Sequence, residues 1–178
     1  YIMGAIKRAY LGAIPVKGNF QYLVTDPYAY MQYVCGLPIT GLLGKDEHYS
    51  AYWNRKGVTT VDAMRAPLTH FSEHTILHLK KNSETEKWYK WCRNGVIINW
   101  FGYEVDRFSG SDFDGDIVAS TNNQTMINGV IHGEYPVVYD PPKPQKIIPN
   151  EHDLVTFDKF GMGSIIGQIT NKGASAYA

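Results

Sequence analysis

Apolar and polar positions along the chain change their period several times, and each change predicts an element. Residues 1–25 mix apolar and glycine positions, and Gly18-Asn19 is a turn signal ahead of the β-prone run Phe20-Gln21-Tyr22-Leu23-Val24, so a hairpin is predicted there. Asp26-Pro27 opens a helix over residues 28–35, with Tyr28, Met31 and Val34 at helical spacing, Asp26 as its N-cap and Gly36 as its stop. Turn residues and an aromatic stretch at 49–53 follow, up to Gly57. Alternation over residues 58–64 predicts a strand, and residues 75–79 predict another. Ser83-Glu84-Thr85-Glu86 resembles a capping box and opens a helix bearing Trp88, Tyr89 and Trp91, which Asn94-Gly95 ends.

Val96-Ile97-Ile98-Asn99-Trp100-Phe101 is dense in β-branched and aromatic side chains, as a buried strand is. Residues 127–131 and 135–139 read as two more short strands. Asp140-Pro141-Pro142-Lys143-Pro144 then stops regular structure. From about residue 150 to residue 168 the pattern is helical, although its glycines cost helix stability unless close packing uses them. No internal repeat is visible.

Composition narrows the class. A chain of 178 residues, 44% hydrophobic and 19% charged, has the make-up of one main globular domain and excludes disorder. Lys plus Arg and Asp plus Glu are both 17, so no whole-chain field draws a polyanion. Positive charge for such a partner has to come from local patches, metal ions or other parts of a larger protein. Cys35 and Cys92 form no Cys-x-x-Cys pair, which argues against a disulfide framework or a structural zinc site and for a reducing cytoplasm. No apolar run is long enough to span a membrane, and the N-terminus lacks a secretion-signal pattern, so a soluble intracellular chain is expected. Tyr1 at the start and Ala174-Ser175-Ala176-Tyr177-Ala178 at the end give the look of a fragment.

The chemistry concentrates in Asp112-Phe113-Asp114-Gly115-Asp116, directly after the strand-like stretch. An extended backbone would point the three carboxylates to one side, and Gly115 would permit a turn that brings Asp116 toward the other two. Three crowded carboxylates require a compensating cation, and hard oxygen donors of this kind suit Mg²⁺ or Mn²⁺. A calcium loop of the EF-hand type is excluded, because its Gly and Glu positions hold Ile117 and Asn123.

Ser109-Gly110-Ser111-Asp112-Phe113-Asp114-Gly115-Asp116 resembles the metal-binding signature of the two-barrel RNA polymerases. These are the cellular multisubunit enzymes, the eukaryotic RNA-dependent RNA polymerases of gene silencing, and single-chain phage relatives; the Ser-Gly-Ser lead-in is closer to the last two groups. Cellular enzymes carry Asn where Gly110 stands, so the ribose recognition by that Asn does not transfer. Upstream, Met64-Arg65-Ala66-Pro67-Leu68-Thr69-His70 is similar to the family's Arg-x-Pro element, whose Arg contacts the sugar hydroxyls of the incoming nucleotide, a role that falls to Arg65. The likeness runs from about Gly57 to Val118, with residues 83–94 as a helical insertion.

The resemblance implies a mainly β, α+β fold: a six-stranded double-psi β-barrel with helical insertions over residues 1–139, a proline-rich linker over 140–149 and a C-terminal helical segment over 150–178. It implies nucleotidyl transfer, with one Mg²⁺ or Mn²⁺ on Asp112, Asp114 and Asp116 and a second ion arriving with the nucleoside triphosphate. Its partners are a DNA or RNA template, the RNA product, nucleoside triphosphates and a lysine-bearing second barrel that this chain lacks; the chain alone is then inactive. Its setting is the cytoplasm, the host's if a phage encodes it.

Two rival readings remain open on the residues. His70-Phe71-Ser72-Glu73-His74 spells the inverted zinc-peptidase pattern, which needs a helix presenting both His on one face and a third ligand such as Glu134 or Glu151. A non-catalytic barrel that binds partners is the other. The aromatic clusters at 49–53 and 88–91 are able to stack bases, but buried packing is their expected use.

Overall fold

Alternating buried side chains on short strands close a sheet on itself here. The computed structural model describes residues 1–12, 15–66, 68, 70–108, 110–131, 143, 146, 148–163, 168 and 172. They fall in two units, Tyr1–Asp140 and Pro141–Ala178. In the first unit the elements are α1 (Ile2–Tyr10), β1 (Asn19–Thr25), α2 (Pro27–Val34), β2 (Glu47–Ser50), α3 (Ala51–Arg55) and β3 (Thr60–Met64). A 3₁₀ turn (Phe71–Glu73), β4 (Thr75–Leu79), α4 (Ser83–Tyr89), β5 (Gly95–Ile98), α5 (Glu104–Arg107), β6 (Ile117–Thr121) and α6 (Gln124–Gly129) complete it. The second unit contains α7 (Glu151–Met162), which begins at a capping box between Asn150 and Asp153.

The six strands form a closed mixed barrel in the order β1-β5-β2-β4-β3-β6. β1 with β5 and β2 with β4 run parallel, and the remaining neighbours run antiparallel. Advancing every strand by three positions maps this ring onto itself: β1/β5 becomes β4/β2, β1/β6 becomes β4/β3, and β2/β5 and β3/β6 map onto themselves. That two-fold order is the double-psi arrangement. Parallel pairing requires long crossovers, and the helices α2 to α4 occupy them.

Leu23, Val61, Ala63, Leu77, Leu79, Val96, Ile98 and Val118 point into the barrel, with Trp53 and Phe108 packed among them. Each fully buried side chain of this size contributes about 1.5–3 kcal/mol. Polar side chains inside are paired: Gln21 Nε2 donates to Ser50 Oγ at 2.9 Å, and Trp53 Nε1 donates to Ser120 Oγ at 2.8 Å. A second cluster of Leu43, Tyr49, Ala51, Tyr89 and Ile97 holds the crossover segments against the barrel. Asp26 organises that side, accepting at Oδ1 from Tyr28 N, Ala29 N and the Tyr89 hydroxyl at 2.9, 3.1 and 2.5 Å.

Several sequence expectations hold in place: the helix capped by Asp26, the strands at 58–64 and 75–79, and the buried strand beginning near Val96. Others are corrected. The N-terminal hairpin is absent among the described residues, since both edges of β1 are taken by β5 and β6, and residues 2–10 form α1 with Lys7 and Arg8 favourably placed in its last turn. The cap of α4 is Asn82, not Ser83: its side chain accepts from Thr85 N at 2.9 Å while Thr85 Oγ1 accepts from Asn82 N at 3.0 Å. The strand expected at 127–131 is instead α6, because the Asn123 side chain accepts from Thr125 N and Met126 N and starts a helix. Helix α2 buries Ala29, whereas Met31 and Val34 of its apolar spacing stay exposed. The strand expected at 135–139 lies outside the described residues, as does most of the 140–149 tract.

Candidate metal centre

The acidic residues sit where α5 hands the chain to β6. β3 and β6 are antiparallel with Met64 opposite Ala119, so Arg65 emerges beside the start of β6. Its Nη2 donates to Asp116 Oδ1 at 2.8 Å. The loop is tied at both ends: Ser111 Oγ donates to Val105 O at 2.8 Å, and Leu23 N of β1 donates to Asp116 O at 2.8 Å.

Within the loop the carboxylates also organise the backbone. Asp112 Oδ1 accepts from Asp114 N at 3.1 Å, and Asp116 Oδ2 accepts from Asp112 N at 3.0 Å. The chain reverses at Gly115, whose φ of +132° suits glycine alone. One carboxylate oxygen from each of Asp112, Asp114 and Asp116 therefore lies within 4.8 Å of the others. Convergence arises from this turn; the extended alternation expected from sequence is not what the loop adopts.

The electrostatics are those of crowded anions. The Asp112 carboxylate, close enough to share a hydrogen bond, pushes Asp114 above the ordinary carboxylate range, and Asp116 adds to the effect. Asp116 moves the other way, held down first by the Asp112 N–H and then by the Arg65 guanidinium. Asp112 and Asp114 are exposed and Asp116 half-buried, so the oxygens face solvent. Three hard oxygen donors at this spacing, one of them kept ionised, fit a divalent cation of the Mg²⁺ or Mn²⁺ kind. Among the described residues no other group of three His, Cys, Asp or Glu meets this spacing.

The His-x-x-Glu-His reading is corrected. Residues 71–73 form a single 3₁₀ turn, and His70 is its cap, with Nδ1 accepting from Ser72 N at 3.2 Å. Glu73 is buried, and His74 stands in extended backbone with Nε2 at 2.6 Å from Asp62 Oδ1. No helix presents the two imidazoles together. Glu134, one proposed third ligand, lies outside the described residues.

Two buried acid–histidine pairs escaped the sequence reading. Asp62, on the outer side of β3, is wholly buried against His74; His48 Nε2 of β2 lies 3.7 Å from Glu104 Oε1 of α5. Burial pushes Asp62 up, and His74 counters this only in part. Burial also pushes Glu104 up, but His48 and Asn99 outweigh it and hold its pKa below the usual carboxylate value. The only sequence signal was a charged residue at an alternating position of a strand.

No protein-family model matches the sequence, and no curated protein matches it. Among solved structures, the chain is similar to the RNA-dependent RNA polymerase QDE-1 from Thielavia terrestris, with a TM-score of 0.53 and 12% identity. The match covers 74% of this chain and 14% of the polymerase chain, so this chain spans about a seventh of that protein's length. At this identity the likeness establishes the fold alone.

Proposed function

We propose that the chain is the metal-binding barrel of a two-barrel RNA polymerase and carries nucleotidyl transfer together with a larger polypeptide. On this reading residues 1–139 are the barrel domain, 140–149 a linker and 150–178 the start of the segment that follows. One observation carries it: three carboxylate oxygens converge at the barrel rim with an arginine bonded to one of the three acids. The fold shared with an RNA-dependent RNA polymerase supports it.

Asp112, Asp114 and Asp116 would hold Mg²⁺ or Mn²⁺, and the chemistry such an ion supplies is Lewis-acid activation of the hydroxyl that attacks a nucleoside triphosphate. The chain's own residues do the positioning. Gly115 turns the loop so that Asp116 faces the other acids, and Arg65 keeps Asp116 ionised and oriented. From the same place Arg65 reaches the sugar of an incoming nucleotide. Net charge of zero fits a barrel whose triphosphate-binding lysines reside elsewhere in the polymerase. DNA or RNA serves as template and RNA is the product.

The test is Asp114→Ala, scored twice. Because Asp114 is exposed, the fold should hold within about 0.5 kcal/mol. Mn²⁺ binding to the chain, followed by electron paramagnetic resonance, should fall below detection, and elongation by the complete polymerase should cease. Elongation that survives the substitution overturns the proposal.

A further inference from the structure

Tyr49, Trp53 and Tyr89 are buried as aromatic clusters usually are, yet Trp91 is 70% exposed and Trp88 51% exposed. Burial of the whole 88–91 cluster, the use expected from sequence, is thus overturned at its two tryptophans. Large exposed rings are ordinarily avoided on a free surface, so a pair of them on one helix end marks a contact.

Positive charge predominates around them. Residues 80–93 carry Lys80, Lys81, Lys87, Lys90 and Arg93 against Glu84 and Glu86, in a chain that is neutral as a whole. Lys90 Nζ lies 5.1 Å and Arg93 Cζ 5.8 Å from the Trp91 ring centre, and Lys87 Nζ lies 5.2 Å from that of Trp88. Trp91, Lys90, Arg93 and Arg55 border a cleft of about 250 Å³. The one acid there, Glu86, is engaged by the Tyr49 hydroxyl at 3.1 Å.

We propose that this cleft is a binding site for single-stranded nucleic acid, with a base stacked on Trp91 and phosphates held by Lys90, Arg93 and Arg55. An exposed indole offers a base about the stacking it needs whatever its identity, and Lys90 and Arg93, which lie over the Trp91 ring, swing aside on flexible stems to meet the flanking phosphates when a base takes that face. An acidic peptide would use the charges and leave the ring idle. A duplex keeps its bases stacked on each other and unavailable to Trp91. The site goes beyond the polymerase reading and stands without it, since none of its residues belongs to the acidic loop.

The experiment is fluorescence anisotropy of labelled oligothymidylate and oligouridylate with the 178-residue chain in the absence of divalent ions, beside a duplex and a polyglutamate of equal charge. Both single strands should bind more tightly than duplex or polyglutamate, and they should quench the emission of Trp91. Trp91→Ala should weaken binding about tenfold and Trp91→Phe much less, as expected for a lost stack. Replacing Lys90 and Arg93 by Gln should flatten the slope of log affinity against log salt by about 1.4, about 0.7 for each phosphate contact. None of these variants lies in the acidic loop and no divalent ion is present, which separates this site from that one. Failure to bind single strands, equal affinity for polyglutamate or duplex, or indifference to Trp91→Ala each overturns the proposal.

Discussion

Arg65 Nη2 and Asp116 Oδ1 meet at 2.8 Å although the two residues stand 51 positions apart in the chain. The contact ties the end of β3 to the last acid before β6 and, together with the Asp112 N–H, keeps that acid ionised and oriented. Arginine does this with a rigid fork, whereas lysine offers a point charge on a flexible stem. Arg65→Lys should therefore raise KM for nucleoside triphosphates in the complete polymerase about tenfold or more, while Mn²⁺ affinity of the isolated chain changes by less than about threefold. Steady-state incorporation and a Mn²⁺ titration give the two numbers. A large loss of Mn²⁺ affinity with unchanged KM would place Arg65 in the metal site alone.

Gly115 tests how the acids are brought together. Its φ of +132° is strained for any side chain, though nothing obstructs an added Cβ. Gly115→Ala should cost about 1–3 kcal/mol of local backbone strain. We expect the loop to relieve it by turning Asp116 away, which lowers Mn²⁺ affinity severalfold and leaves urea unfolding of the barrel nearly untouched. Unaltered Mn²⁺ binding would show that the turn is dispensable for convergence.

The buried Asp62–His74 pair predicts a pH-dependent stability. Removing the partner of a fully enclosed carboxylate costs about 3–5 kcal/mol, and because the His74 side chain is 23% exposed we expect about 2–3 kcal/mol for His74→Ala at neutral pH. Burial raises the pKa of Asp62, so between its ordinary and its raised value the folded chain holds a proton that the unfolded chain has released. Stability from this group then increases as pH falls through that window. In His74→Ala the carboxyl loses the His74 hydrogen bond that opposes its upward shift and titrates higher still, so the deficit should shrink toward mildly acid pH. Urea midpoints at neutral and acid pH would refute this if the deficit is constant.

Asp26 is a cap and a core acceptor at once. Asp26→Ala removes the bonds from Tyr28 N and Ala29 N and strands the buried Tyr89 hydroxyl. A lost cap costs about 0.5–2 kcal/mol and an unpaired buried hydroxyl about 1–3 kcal/mol, together about 1.5–5 kcal/mol. Tyr89→Phe in the same background should cause little further loss, since the two residues share one interaction. Additive losses in the double variant would deny the coupling.

Local signals were readable in the sequence and non-local ones were not. Asp26-Pro27 announces α2, and the alternation at Thr75, Leu77 and Leu79 announces β4, because each rests on neighbours in the chain. β2 and β6 went unread because their inward positions include His48, Ser50 and Ser120, polar groups whose partners come from distant segments. The strand expectation at 127–131 fails because five residues with apolar Ile127, Val130 and Ile131 are too few to fix a period, and only the availability of sheet edges decides. For the site, the three acids were legible as a set, but the turn that gathers them depends on bonds between their own side chains and backbone. Trp91 gave no advance sign of its exposure.

The ring order places β6, the last strand among the described residues, between the first and the third. A nascent polypeptide that has emerged only as far as residue 116 already possesses Asp112, Asp114 and Asp116, but it has no seam against which to fix them. On the proposed reading, cation capture would require the completed ring, and an unfinished or unravelled chain would offer nothing more selective than a string of dissolved carboxylates.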